Sequence, residues 1–277
     1  MSRSWVLTLT CDDTVGIVAA VAGALAEHGG FILDSQQYAD LEARRFFMRV
    51  AFSGPDLRGA IEPVAARFAM DWSLVASDWR PRTVIAVSKG SHCLNDLLHR
   101  WSTGTLRIDP VAVVSNHETL RPLAEWHEVP FHHLPVAVDT REAQEAALLE
   151  LIHEAQADLV VLARYMQVLG PTLVRALEGR CVNIHHSFLP SFKGARPYHQ
   201  AHARGVKLIG ATAHFVTGEL DEGPIIEQAV ERVDHRATPQ ELAAMGRDIE
   251  AQVLARAVGW ISERRVFLNG LRTVVFR

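Results

Sequence analysis

Beyond residue 82, short apolar runs alternate with helix-length stretches, and this rhythm narrows the folds open to the chain. Thr83 to Val87, Val111 to Ser115 and Leu159 to Leu162 read as strands of the fully buried kind. Between them His92 to Trp101, Glu118 to Glu128 and Arg141 to Gln156 carry helical patterning. Leu148, Leu149 and Ile152 form a core stripe on the last of these. Buried strands that alternate with helices predict an open, mainly parallel, doubly wound α/β sheet. After Gly210 the chain turns β-rich, with strands over Ala211 to Val216 and Ile225 to Val230, and a final helix is expected over Pro239 to Ile261.

The first eighty residues follow another rhythm. Trp5 to Thr10 is a strand pattern; Asp12, Asp13 and Thr14 offer N-cap oxygens for a helix through Ala26, and Gly29-Gly30 stands at its expected end. Phe31 to Tyr38 and Arg45 to Phe52 read as strands joined by a polar turn. Pro55 suits a first helical turn, Ala60 to Met70 continue the helix, and Trp72 to Trp79 is a closing strand. The order β-α-β-β-α-β predicts a ferredoxin-like unit over 1–80, with Arg80-Pro81-Arg82 as punctuation and the α/β domain over 83–277.

Bulk properties exclude several functions. A net charge of -4 gives no electrostatic reason to expect nucleic acid or a membrane surface as partner. The longest apolar stretch, Val15 to Ala26, is too short to span a bilayer, and acidic residues follow the N-terminal MSRSWVLTLT too soon for a signal-peptide core. Three cysteines, Cys11, Cys93 and Cys181, are an odd number without metal-type spacing, which fits a reducing compartment and a cytoplasmic location.

The chemistry concentrates between Cys181 and Gln228. A strand ends in Asn183-Ile184-His185, where alternation puts Asn183 and His185 on one face. A second strand ends in His214-Phe215-Val216, and the turn Glu219-Leu220-Asp221-Glu222-Gly223-Pro224 follows. An amide can stabilise a carbonyl oxygen that gains charge, an imidazole can move a proton near neutral pH, and a carboxylate can orient that imidazole and position water. No Ser or Cys stands in a nucleophile elbow, so direct attack by water or an amine is the natural reaction class. Blander readings stand beside these. Asn183 and His185 could be a hydrogen-bonded strand end, His214 a satisfied core histidine, and Lys89-Gly90-Ser91-His92 only a strand–helix turn. A zinc site is the other alternative for the many histidines; His199 and His202 lie three apart on an expected helix, but no third ligand has a familiar spacing, and no metal is expected.

The Asn-x-His strand end, Ser187-Phe188-Leu189-Pro190, Gly194 and the Leu220-Asp221-x-Gly223-Pro224 turn resemble the folate-dependent formyltransferase family, from Arg82 to about residue 265. The resemblance implies a catalytic trio of Asn183, His185 and Asp221. It also implies a folate pocket of Met166, Gln167, Val168 and Leu169 facing His214, Val216, Thr217, Gly218 and Glu219. Lys89, Gly90, Ser91, His92, His186 and Gly194 fall at the pocket's edge. Family members that formylate glycinamide ribonucleotide carry a Gly-rich phosphate loop after the first strand. Here that stretch is Ser88-Lys89-Gly90-Ser91-His92, and His186 replaces the Pro that usually follows the catalytic His. With the fused N-terminal unit, these departures resemble the formyltetrahydrofolate deformylase branch. That implies hydrolysis of the linear amide of 10-formyltetrahydrofolate to formate and tetrahydrofolate, which would supply formate for purine synthesis and balance one-carbon folate pools. Folate would be the substrate, and no cofactor is expected. An amine-acceptor formyltransferase and an amino-acid-sensing protein with an inactive catalytic domain are the alternatives. Asp12-Asp13-Thr14-Val15-Gly16-Ile17-Val18 and Gly29-Gly30 resemble an ACT domain. That implies an amino-acid effector near Asp12, Gly16, Gly29 and Gly30, and a homo-oligomer, dimer or tetramer.

Overall fold

The protein is described by a computed structural model over residues 3–137, 140–189 and 197–277. The chain divides into two compact units. One runs to Trp79 and adds Glu263–Phe267 and Val274–Arg277; the other is Arg80–Ser262 with Leu268–Thr273.

The first unit runs β1 (Ser4–Asp12), α1 (Ile17–Glu27), β2 (Phe31–Asp40), β3 (Arg45–Ser53), α2 (Arg58–Arg67) and β4 (Asp71–Ala76). The strands form an antiparallel sheet in the order β2-β3-β1-β4. Helix α1 buries Ile17, Val21 and Leu25, spaced one helical turn apart, and α2 buries Ile61 and Ala65. Leu7, Leu9, Val50 and Phe52 complete this core. The Asp40 side chain accepts the N–H groups of Glu42 and Ala43 at 3.0 Å, which fixes the polar turn between β2 and β3.

Three local expectations fail here. Gly16, with φ of 98°, stands at the start of α1 and no side chain caps the helix, so the oxygens of Asp12, Asp13 and Thr14 are not used that way. Helix α2 begins after Pro55, ends before Met70 and holds Pro63 in its interior. Proline supplies no N–H to the helix ladder, yet the helix continues past it to Arg67. The C-terminal residues do not all join the second unit. Phe267 packs edge-on against Phe47 at 5.9 Å, Arg49 donates to the Glu263 carbonyl at 3.0 Å, and Arg264 lies over the Trp79 ring.

The second unit runs β5 (Arg82–Val87), α3 (His92–Ser102), β6 (Asp109–Ser115), α4 (Arg121–Trp126), β7 (Phe131–His133), α5 (Arg141–Glu154), β8 (Leu159–Leu162), α6 (Pro171–Ala176), β9 (Cys181–His185), α7 (Pro197–Arg204), β10 (Leu208–Phe215), β11 (Ile225–Arg232) and α8 (Pro239–Ser262). A terminal hairpin of β12 (Val266–Asn269) and β13 (Arg272–Val275) follows. The sheet has seven strands in the order β11-β10-β9-β8-β5-β6-β7. It is parallel from β9 through β7, and β10 runs antiparallel to both β9 and β11. Val84, Ile85, Ala86 and Val87 are all fully buried, as a strand covered on both faces requires. The stretch expected as one helix over Glu118 to Glu128 is a 3-10 turn, Glu118–Leu120, followed by the short α4. The short elements β7 and α6 and the terminal hairpin carry too little periodicity to be read from sequence.

The three cysteines are free and buried. Among the described residues, no helix is long and apolar enough to cross a membrane.

Phe52 is fully buried at the centre of the smaller core. Phe52→Ala is expected to lower stability by about 3–5 kcal/mol, read as a fall in the urea midpoint at constant slope.

Candidate active site

The site is assembled by the pairing of β9 with β10. Their antiparallel register sets Asn183 opposite His214 and His185 opposite Thr212. Beside β9, β8 runs parallel with Leu162 opposite Asn183, so the segment after β8 emerges next to the trio. Open α/β sheets place ligands at such strand ends. The turn after β10 is folded back on the sheet: Phe215 N–H donates to the Pro224 carbonyl at 2.9 Å and Val216 N–H to the Cys181 carbonyl at 2.8 Å. Gly223 makes that turn possible, because a Cβ there would strike the Phe215 carbonyl. Asp221, at the head of the turn, has φ of 58°, a left-handed conformation that Asp tolerates better than most residues.

The three expected catalytic residues meet. His185 Nδ1 lies 3.2 Å from Asp221 Oδ2, and both side chains are largely buried. The Asn183 amide nitrogen reaches His214 Nε2 at 3.3 Å and Asp221 Oδ1 at 3.5 Å. These contacts are long, so the amide is available to a stronger acceptor. His214 is buried and its Nδ1 faces the Phe215 carbonyl at 2.8 Å, so in the neutral ring Nδ1 donates and Nε2 accepts from Asn183. The hydrogen bond from His185 holds the Asp221 carboxyl well below the usual carboxylate range despite its burial. Asp221 is therefore an anion near neutral pH. It fixes the proton of His185 on Nδ1 and leaves Nε2 with its lone pair. That Nε2 is buried and has no partner among the described residues.

A cavity of about 250 Å³ opens on the trio. Met166, Gln167, Val168 and Leu169 form one wall, and His214, Val216, Thr217, Gly218 and Glu219 line the other side. Tyr165 also lines the cavity, and Leu162, Val174 and Leu220 add apolar lining that the sequence reading did not include. The first wall is held from behind. Met166 N–H donates to Ser88 Oγ at 3.0 Å, Ser88 donates to Asn116 at 2.7 Å, and Glu145 accepts the Gly170 N–H at 2.9 Å. Arg141 donates to the Val168 carbonyl, and Gln144 donates to the Tyr165 hydroxyl at 2.8 Å. Two backbone groups of the wall, the Met166 N–H and the Val168 carbonyl, are thus already engaged within the protein.

The edge residues divide. His186 lines the same cavity. Lys89, Gly90 and His92 line a second cavity of about 480 Å³ that shares Arg164, Met166 and Gln167 with the first. Ser91 lines neither; it precedes α3, and its carbonyl accepts the Asn95 N–H. Pro190 and Gly194 lie outside the described residues. In the first unit, Asp12 pairs with Arg45 at 3.2 Å. Gly16 begins α1, and Gly29-Gly30 ends it, with Gly30 N–H donating to the Leu25 carbonyl at 2.7 Å. A Cβ on Gly30 would press on Leu57 and Leu25, so helix termination and close packing account for that glycine.

His199 and His202 are exposed on α7. His92, Cys93 and Glu250 offer atoms within 4.8 Å of one another, but the set suits hydrogen bonding better than a cation. Glu250 already takes His92 and Tyr198 at 2.8 Å, the Arg164 guanidinium stands 3.3 Å away, and burial pushes the Cys93 thiol far up. The sequence reading missed Arg164, Tyr198 and Glu250 as a group. The three stand far apart in the chain, and no local pattern links them.

His186 is the second unusual titrating group. Arg164 can only donate, and its guanidinium lies 3.0 Å from His186 Nδ1, so that nitrogen holds the lone pair and the neutral ring carries its proton on Nε2. Burial, then Arg164 and His185, lower its pKa to about 4. An unfolded histidine binds a proton below about pH 6.5, whereas folded His186 resists until about 4, so its contribution to stability falls as pH drops between those values. The contribution is about 3 kcal/mol at most. His186→Asn is expected to flatten this segment of the stability curve, measured by urea unfolding at a series of pH values.

A family model described as formyl transferase matches residues 81–258. A formyltetrahydrofolate deformylase of Corynebacterium sp. (strain P-1) is 54% identical over 98% of this chain and 98% of its own. A crystal structure of a formyltetrahydrofolate deformylase from Burkholderia mallei ATCC 23344 superposes with a TM-score of 0.96 at 54% identity, over 99% of this chain and 100% of that one. Glycinamide ribonucleotide transformylase 1 from Symbiobacterium toebii reaches a TM-score of 0.68 at 31% identity and covers only 72% of this chain and 95% of its own. With full-length likeness to the deformylases and partial likeness to the transformylase, the chain belongs to the formyltetrahydrofolate deformylase family.

Proposed function

We propose that the chain hydrolyses 10-formyltetrahydrofolate to formate and tetrahydrofolate. The observation that carries this reading is the His185–Asp221 pair, with a bare Nε2, beside a cavity walled by Met166–Leu169 and Val216–Glu219. The mechanism follows from the proton positions. His185 Nε2 takes a proton as the water oxygen bonds to the formyl carbon, and Asp221 stabilises the imidazolium that results. The Asn183 amide turns from its long contacts to the oxygen that gains charge. The carbon–nitrogen bond then breaks, His185 returns its proton to the departing folate nitrogen, and formate leaves. Asp221 is too weak a base to be the principal acceptor, because its hydrogen bonds already favour the anion.

The folate itself is the substrate in this scheme, and the chain's own residues supply each proton movement, so the reading calls for no cofactor. The cellular role that fits is formate supply for purine synthesis and balance of folate pools in the cytoplasm. The β-α-β-β-α-β order of the first unit, with left-handed glycines at both ends of α1, supports an ACT-type regulatory domain with an amino-acid effector and self-association. Incubation with 10-formyltetrahydrofolate alone, followed by formate release, tests the reaction. Turnover only when an amine is supplied would reassign the chain as a formyltransferase.

Asp221→Asn is expected to fold and to lose about a hundredfold or more in kcat, since the amide cannot stabilise the imidazolium. Near wild-type turnover would remove Asp221 from the mechanism. Asn183→Ala is expected to lower kcat more than it raises KM, with a loss of roughly 3 kcal/mol in transition-state stabilisation. A change confined to KM would make Asn183 a binding residue, and steady-state kinetics separate the two outcomes.

A further inference from the structure

We infer that Arg164, clamped between buried Glu250 and His186, is a positioning residue that fixes the ring beside His185 and thereby keeps His185 free to accept the proton of water. The inference rests on the deformylase reading above.

The chain of contacts is continuous. Glu250 is 1% exposed, and a carboxylate so deep must be paired. Its Oε2 meets His92 Nε2 at 2.8 Å and Arg164 Nε at 3.3 Å, and its Oε1 accepts from the Tyr198 hydroxyl at 2.8 Å. Gly246, one turn before Glu250 on α8, admits Tyr198, because a Cβ there would run into the tyrosine ring. Arg164 then extends to His186, donating to Nδ1 at 3.0 Å. The His186 ring stacks on His185, with centroids 4.6 Å apart and planes 25° apart. Arg164 itself has φ of 65°, a conformation that is strained for a long side chain and free for glycine. A strained arginine with both ends of its guanidinium engaged points to a task for the side chain.

The task is electrostatic as well as steric. During turnover His185 gains a positive charge. A second charge on the stacked His186 would oppose that step. His186 is faced by Arg164 after β8, His185 on β9, Asp221 on the turn after β10 and Glu250 on α8. His92 of α3 and Tyr198 of α7 hydrogen-bond to Glu250. Of these, Arg164 is the group that both opposes a proton on His186 and occupies its Nδ1. Asp221 sets the proton of one ring, and Arg164 sets the proton of its neighbour.

The test is the pH profile of kcat for formate release by the full chain. Arg164→Gln should move the acid limb up by about one pH unit, as His186 begins to titrate in the working range. Arg164→Lys, which keeps the charge, should hold the limb nearer the wild type. Arg164→Gln/His186→Asn should bring the limb back, because no second imidazole can charge. A purely structural Arg164 would lower stability in both single variants and leave the limb in place; an unmoved limb in folded Arg164→Gln, or a limb still displaced in the double variant, overturns the inference. Nitrogen NMR of histidine in the wild-type chain gives a reading independent of any variant. His186 should be neutral with its proton on Nε2 at pH 6, and a charged ring or an Nδ1 proton there also overturns it. Absence of formate release by the wild type would instead defeat the deformylase reading, while the NMR measurement would still decide the state of His186.

Discussion

The antiparallel pairing of β10 with β9 is the constraint on which the site depends. In a strand the side-chain period is two, so a slip of one residue would turn Asn183 and His185 to the opposite face. The observed register puts Asn183 across from His214 and leaves the next turn to deliver Asp221 beside both. The rest of the sheet is parallel on the other side of β9, which brings the Arg164 to Leu169 segment to the same place. The site therefore sits where the sheet changes from parallel to antiparallel. It draws its two walls from opposite neighbours of one strand.

Two adjacent histidines lie at this junction, and their surroundings separate their roles. His185 faces an anion through Nδ1, and His186 faces a cation through Nδ1. The carboxylate demands a donor and the guanidinium demands an acceptor, so the two rings hold opposite tautomers. Sequence neighbours with the same unperturbed chemistry become different groups because one partner comes from the turn after β10 and the other from the segment after β8. The division follows from hydrogen-bond valence, and the charges of Asp221 and Arg164 reinforce it.

Much of this was legible in the sequence because the relevant signals are local. The buried-type runs at Thr83, Val111 and Leu159 are strands β5, β6 and β8, and the Asn-x-His end and the Leu-Asp-x-Gly-Pro turn do meet. Signals that depend on tertiary context were misread or silent. Pro63 sits inside α2, where propensity argues against it, and Gly16 displaces the obvious oxygen caps of α1. Phe267 and Phe276 belong to the first unit although some two hundred residues of chain intervene, because ring packing is indifferent to sequence order. The Glu250 cluster was silent for the same reason: His92 and Glu250 are 158 residues apart.

That cluster also bears on why a buried ionic group persists. Removing a carboxylate and a guanidinium from water costs several kcal/mol for each ion, and apolar side chains of similar volume are often at least as stabilising. Stability alone therefore gives little reason for Glu250 and Arg164 to be where they are. A fixed charge at a fixed distance is something apolar packing cannot supply. Glu250 uses both oxygens, one on Tyr198 and one shared by His92 and Arg164, so its partners can move only together. Arg164 inherits that rigidity and passes it to His186, and the stacked ring passes it to His185. The Asp221 arm reaches His185 from a turn, a comparatively pliant element held by two backbone hydrogen bonds to the sheet. The Glu250 arm reaches it from the longest helix of the described residues. Held from a loop on one side and from a helix on the other, the imidazole keeps its orientation while its charge changes, which a proton-transferring ring must do twice in each turnover.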